Sequence, residues 1–138
     1  MSANTNTLTT DRIEIADLFS RFSRLLDEAR WDDAGTVFTD DVTVRSPRVD
    51  VRGIENVVGY MRQAETEDER TQHLTTDLLV DVDGDRAAAS ANSLVYFHRE
   101  GQAPHQSSGL RLAFTAERTS AGWRFSEARI VLAWTRQD

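Results

Sequence analysis

The sequence predicts an α+β fold in which three helices, all in the N-terminal half, pack on one face of a curved antiparallel sheet. Two observations carry this. Apolar residues recur at spacings of three and four from Ile15 to Ala29 and again from Ile54 to Met61, the periodicity of amphipathic helices. From Gln72 onward the period changes to two and stays there, as in strands that bury one face. At 138 residues the chain reads as a single domain over 11–138 behind a flexible polar tail over 1–10.

Met1 to Thr10 is rich in Ser, Thr and Asn, and Thr10 or Asp11 is placed to cap the first helix, with Glu14 in a capping-box position. Ile15, Leu18, Phe19, Phe22, Leu25 and Leu26 form the apolar face of that helix, so Asp27 and Glu28 fall in its last turn. Acids there oppose the negative end of the helix dipole, at a cost of ~0.3–1 kcal/mol each when exposed. An acid placed there needs a reason. Ala16, Ser20, Ser23 and Asp27 make a row of small or polar side chains beside the apolar stripe. The row is either a plain polar edge or a pocket wall with a carboxylate at its end.

A short second helix is expected over Trp31–Phe38, broken by Asp40-Asp41. A short strand follows over Val42–Arg45, ended by Ser46-Pro47. Gly53 precedes a third helix from Ile54 to Glu65, and the charged run to Arg70 reads as a loop. Leu74, Thr76, Leu78, Val80 and Val82 then alternate with polar residues up to Asp83-Gly84, a hairpin signal. Further strands are expected over Arg86–Arg99, Ser108–Arg118 and Trp123–Thr135. The apolar parity of the last slips between Phe125 and Ala128, which predicts a bulge. From Ala87 to Ser93 nearly every residue is small. Either a cavity lies beside that strand, or bulky neighbours such as Trp123 and Trp134 fill the space.

Composition narrows the function classes. Hydrophobic residues make up 39% and charged residues 28%, ordinary for a soluble globular protein. Neither a membrane span nor a secretory leader is visible, so the cytoplasm is the expected location. With no cysteine, disulfides, thiolate metal sites and a cysteine nucleophile are excluded. All 16 basic residues are arginine and the net charge is −7. That removes lysine Schiff-base chemistry, and the dispersed arginines form no stripe for nucleic acid. The three histidines, His73, His98 and His105, show no i,i+4 pair of the kind a zinc helix needs. Asp81 to Asp85 superficially resembles a calcium loop, but its glycine comes too early and Asn92 stands where the loop needs glutamate. No metal and no organic cofactor is expected.

The remaining constellation is a carboxylate with a histidine. An acid beside an imidazole holds one tautomer and stabilises the imidazolium, so the ring can act as a general base. Asp27 and His73 would meet if the sheet wraps the first helix. On strict alternation, however, His73 shares the polar strand face with Thr75, Asp77, Asp81 and Asp83 and points to solvent. A bulge at Thr75-Thr76 would return it to the inner face.

The order LLDEARWDDAGTVFTDDVTV, Gly53-Ile54-Glu55, Arg70-Thr71-Gln72-His73, Asp83-Gly84-Asp85-Arg86-Ala87 and Gly122-Trp123-Arg124-Phe125 resembles the SnoaL-like families of the nuclear-transport-factor-2-like superfamily, over about Asp11 to Trp134. The resemblance implies a cone-shaped, mixed sheet with the helices on its concave face, a small-ligand pocket and a homodimer formed through the exposed sheet face. Within the superfamily the chain is most similar to scytalone dehydratase-type dehydratases. Their catalytic aspartate, with tryptophan four residues on and then aspartate, matches Asp27, Trp31 and Asp32. Their catalytic histidine, preceded by Arg-Thr-Gln, matches His73. A second pocket histidine of that family falls at Asn92 if the hairpins are aligned at Asp83-Gly84, or at His98 by residue counting. Two tyrosines that activate the substrate carbonyl there are replaced by Leu26 and Ser46. The similar ketosteroid isomerases fit less well, since their pocket tyrosine aligns with Phe22 and their basic aspartate with Ser46.

The implied function is acid–base chemistry without a cofactor, dehydration or isomerisation of a small apolar carbonyl compound such as a polyketide- or terpenoid-like intermediate. His73 and Asp27 are the expected catalytic residues. Asn92, Ser46 and Arg129 are candidates to bind the carbonyl or enolate oxygen from their expected strand positions. Phe22, Leu26, Trp31, Tyr96 and Trp134 are candidates for the pocket wall. The alternatives are a polyketide cyclase forming a carbon–carbon bond with the same pair, and a non-catalytic ligand-binding or assembly module.

Overall fold

A computed structural model describes residues 5–138, and residues 1–4 of the expected tail lie outside the described residues. The first helix, α1 (Thr5–Asp27), starts six residues ahead of Asp11, so neither Thr10 nor Asp11 caps it. Asp11 is instead only 4% exposed. Arg118 donates to its carboxylate through both terminal nitrogens, at 2.9 and 2.8 Å, and the Trp123 indole donates at 3.1 Å. Glu14 accepts from the backbone N–H of Trp123 at 2.5 Å. The two acids that read as a helix start thus pin α1 to the last hairpin.

Ile15, Leu18, Phe19, Phe22 and Leu25 bury the apolar face of α1 against the sheet. Each large side chain so buried contributes roughly 1.5–3 kcal/mol. The helix closes when Ala29 takes a left-handed conformation (φ 52) and the N–H of Arg30 reaches back to the carbonyl of Leu25 at 3.0 Å, a Schellman-type ending. Asp27 is therefore the last helical residue.

A 3-10 helix over Trp31–Thr36 takes the place of the expected second helix. Strand β1 (Phe38–Arg45) begins four residues earlier than expected, at the buried Phe38. It runs parallel to the last strand, with Phe38 opposite Phe125 and Thr43 opposite Glu127, so five steps along β1 match two along its neighbour. The excess is accommodated at the exposed Asp40-Asp41, which is why those residues look like a break. A three-residue edge strand, β2 (Asp50–Arg52), pairs antiparallel with β1 and carries too little pattern to be foreseen. α2 (Ile54–Ala64) follows Gly53, whose φ of 91 suits glycine.

The remaining strands, β3 (Arg70–Asp83), β4 (Arg86–His98), β5 (Gln106–Thr119) and β6 (Gly122–Gln137), lie within two residues of their expected bounds. They complete one open six-stranded mixed sheet of order β2-β1-β6-β5-β4-β3. Thr115 faces Glu127 while Ala116 faces Phe125, which places a bulge at Ser126, inside the predicted interval. Ala87, Ala89 and Ala91 face inward and share their core with Phe19, Phe22, Phe114 and Phe125. Those rings meet at centroid distances of 4.8 to 5.4 Å and supply the volume that the small strand leaves. Trp123 is buried with them, whereas Trp134 is not. No helix among the described residues is long and apolar enough to cross a membrane.

Candidate active site

One irregularity decides which way the middle of β3 points. Thr76 pairs with Asn92 and Leu79 with Ser90, so Asp77 and Leu78 together stand opposite Ala91. Asp77 absorbs the extra residue with φ 57, a conformation that aspartate tolerates better than most residues. Its carboxylate accepts from the Asn92 amide at 2.9 Å. Beyond the bulge Leu78, Val80 and Val82 face inward, and before it Thr71, His73 and Thr75 do. Strict alternation would have put His73 outside. The bulge lies one to two residues past Thr75-Thr76 and inverts the parity, leaving Leu74 and Leu79 on the exposed face.

His73 consequently meets the end of α1. Its Nδ1 lies 2.5 Å from Oδ1 of Asp27, and its backbone N–H donates to Oδ2 at 2.8 Å. Thr71, two residues earlier on the same face, donates its hydroxyl to Oδ1 at 3.0 Å. The next step along the helix row repeats the contact, with the hydroxyls of Ser23 and Thr75 3.2 Å apart. Only 11% of the His73 side chain and 19% of the Asp27 side chain are exposed. These hydrogen bonds offset the dipole penalty at the helix end, since charge-assisted bonds contribute about 1.5–3 kcal/mol each against ~0.3–1. An ionised Asp27 could only accept, in which case Nδ1 would carry the proton and leave Nε2 as the basic nitrogen.

The pair opens on a cavity of about 370 Å³. Phe22 and Leu26 of α1 and Trp31 of the 3-10 helix form one wall, while Val57, Tyr60 and Met61 of α2 form another. Ser46, Arg48 and Val49 close it from the β1–β2 turn, and Phe97 and Ile130 from the sheet. An apolar space with a few polar groups aimed into it is the usual form of a small-molecule site. Among the described residues, no three His, Cys, Asp or Glu side chains gather as a metal site requires.

Of the expected site residues, Asp27, His73, Phe22, Leu26, Trp31 and Ser46 line this cavity. Asn92, Tyr96, Arg129 and Trp134 do not. On β4 the inward positions are Ala87, Ala89, Ala91, Ser93 and Val95, so Asn92 and Tyr96 project from the opposite face. Arg129, opposite Ala113, lies in a separate outer groove of about 470 Å³ with Leu79, Asp81 and Ser90. Trp134 is 47% exposed and rests against Gly109, where any Cβ would occupy its place. Neither Asn92 nor Arg129 is placed to reach a ligand beside His73. The His98 ring lies 3.3 Å from the carbonyl of Arg99, and His105 pairs with Glu69 at 3.3 Å.

Thr71, Arg48 and Tyr60 were not foreseen. Thr71 was open to inference, because period two places it on the face of His73. Arg48 and Tyr60 carry no comparable signal in the sequence.

A family model described as a SnoaL-like domain matches residues 7–129. Among curated proteins, none gives a significant match. The Kfla4162 protein of Kribbella flavida superposes with a TM-score of 0.84 at 23% identity, covering 94% of this chain and 95% of that one. A Novosphingobium aromaticivorans protein with the provisional name scytalone dehydratase gives 0.86 at 17% identity, covering 98% and 92%. A type 2 hexachlorocyclohexane dehydrochlorinase gives 0.86 at 16%, covering 98% and 93%. At such identities the likeness is one of fold.

Proposed function

The chain belongs to the SnoaL-like domain family, and from that premise we propose that it is an acid–base enzyme acting on a small, largely apolar carbonyl compound by elimination or double-bond migration. The observation that supports this reading is the 2.5 Å contact between His73 Nδ1 and Asp27 Oδ1 at the wall of an apolar cavity. Asp27 fixes the ring so that Nε2 faces the substrate as general base. Nε2 takes a proton from the carbon alpha to the carbonyl, and the C–H electron pair moves into an enolate. In an elimination a β-hydroxyl then leaves and takes the proton back from the imidazolium as water. In an isomerisation that proton returns to a more distant carbon instead. The names of two of the structural relatives, a dehydratase and a dehydrochlorinase, denote eliminations, which agrees with this first step.

From the family resemblance we also propose a homodimer joined through the outer sheet face, where Leu74, Leu79, Leu94, Val131 and Trp134 are exposed. A monomer mass in sedimentation equilibrium at micromolar concentration would remove that part.

Proton exchange into D₂O, followed by NMR on an enolisable two-ring ketone such as 2-tetralone, tests the chemistry without the natural substrate. His73→Ala should lower catalysed exchange by about 10²–10⁴-fold while circular dichroism stays unchanged. Asp27→Asn, which leaves the ring without its tautomer guide, should lower it as well. Catalysed exchange that persists in His73→Ala would refute the mechanism.

A further inference from the structure

The polar groups that line the cavity divide into those already engaged and those left free. Every carboxylate is engaged: Asp27 by Thr71 and His73, Glu65 by the Trp31 indole at 3.0 Å, and Glu69 by His105 at 3.3 Å. Four donors are free. The hydroxyl of Ser46 and the guanidinium of Arg48, on the β1–β2 turn, the phenol of Tyr60, on α2, and the hydroxyl of Thr66, just beyond α2, all line the cavity. None of these side chains hydrogen-bonds or ion-pairs with any described residue. The other lining cation, Arg70, has Glu100 at 3.8 Å.

Topology sets Ser46 and Arg48 apart from the pair. β3, which carries His73, is one edge of the open sheet, and β2, which follows the turn bearing Ser46 and Arg48, is the other. Both edges border the same cavity. A ligand lying among its apolar walls would thus meet the basic nitrogen on one edge and, on the other, donors with no partner among the described residues. Donors without partners select acceptors, and a guanidinium selects a charged, planar one most strongly, because its paired N–H groups match the two oxygens of a carboxylate.

We propose that Ser46, Arg48 and Tyr60 form an anion subsite, so that the substrate carries a carboxylate at the end remote from the proton that His73 removes. Arg48 makes the ion pair, and the two hydroxyls complete the coordination of the carboxylate oxygens. This deepens the acid–base reading and rests on it only for which end of the substrate faces His73. The net charge of −7 works against anions at long range, but at physiological salt that field decays over about 8 Å. The local contact then decides.

Binding of 2-naphthoate and 2-acetylnaphthalene, which share a two-ring body and differ in charge, can be compared on the full chain by fluorescence titration. The naphthoate should bind about tenfold tighter, equivalent to ~1.4 kcal/mol, and the margin should shrink as salt rises. Arg48→Met should bring the two ligands to parity through loss of naphthoate affinity alone. As Arg48 holds no other described residue, the fold should be unaffected. Tyr60→Phe should weaken naphthoate and leave the ketone unchanged. Equal affinities in the parent protein, or a preference that survives Arg48→Met, would overturn the subsite. His73→Asn separates the two proposals. Retention of the anion preference there supports a subsite independent of the pair, and its loss would overturn the assignment to Arg48. Exchange of 2-tetralone protons, by contrast, depends on His73 and is silent on Arg48.

Discussion

Asp77 bulges out of β3 four residues beyond His73 and thereby turns the imidazole toward Asp27. Deleting Asp77 restores strict alternation, so the two halves of β3 can no longer both face inward. The outcome is a contest between Leu78, Val80 and Val82 on one side and His73 with Thr71 on the other. Three partly buried apolar side chains, at up to roughly 1.5–3 kcal/mol each, and three charge-assisted bonds to Asp27, at about 1.5–3 kcal/mol each, are of similar size, but turning the far half over would also carry the carboxylates of Asp81 and Asp83 inward, whereas turning the near half over brings in Leu74. The expected result is that His73 leaves Asp27. The low-field Nδ1–H resonance of His73 should vanish from the NMR spectrum, and catalysed exchange should fall as in His73→Ala. A resonance that stays in place would show that the bulge does not set the direction of His73.

The same strand shows how much was legible in the sequence. Bounds and order of β3 to β6 were readable because alternation, Asp83-Gly84 and the small strand are local signals. Asp27 and His73 were readable as a pair because one lacked a helix-end partner and the other lay in a matching context. The direction of His73 was not, since a single extra residue inverts parity and shows itself only against the partner strand. That Asn92 and Arg129 lie away from the cavity was hidden for the related reason that a residue's face depends on register. Asp11 misled differently: an acid near a helix start has the same local pattern whether it caps the helix or, as here, ion-pairs with an arginine more than one hundred residues away.

The end of α1 offers a second prediction. Ala29 holds a left-handed conformation (φ 52) to close the helix behind Asp27, where glycine is free of the Cβ penalty of about 1 kcal/mol. Ala29→Gly gives back part of that gain through the greater freedom of the unfolded chain. A net stabilisation of about 0.5 kcal/mol is expected, a rise in Tm of roughly 1–3 °C for a domain of this size. A fall in Tm on calorimetry would mean that the Ala29 methyl contributes more by packing at the cavity rim than its conformation costs.

The third prediction concerns acid stability. Hydrogen bonds from Arg118, aided by the Trp123 indole, hold the Asp11 carboxyl below the usual carboxylate range despite the opposing push of burial. A carboxyl depressed in the folded state stabilises the fold fully above its unfolded value of about 3.9, and the contribution is lost as pH falls through the folded value. Asp11→Asn should therefore cost stability at neutral pH and progressively less in acid. Breaking a buried ion pair costs about 3–5 kcal/mol. Arg118 is 37% exposed and keeps Asp85 at 3.0 Å, so about 2 kcal/mol is the expected loss at pH 7. Urea denaturation of parent and variant from pH 7 to pH 2.5 measures the gap directly. If the gap closes below about pH 4, the ionised Asp11–Arg118 pair is what ties α1 to β5. A gap that stays constant would mean that shape and neutral hydrogen bonding to Trp123 do that work, with the charge contributing nothing.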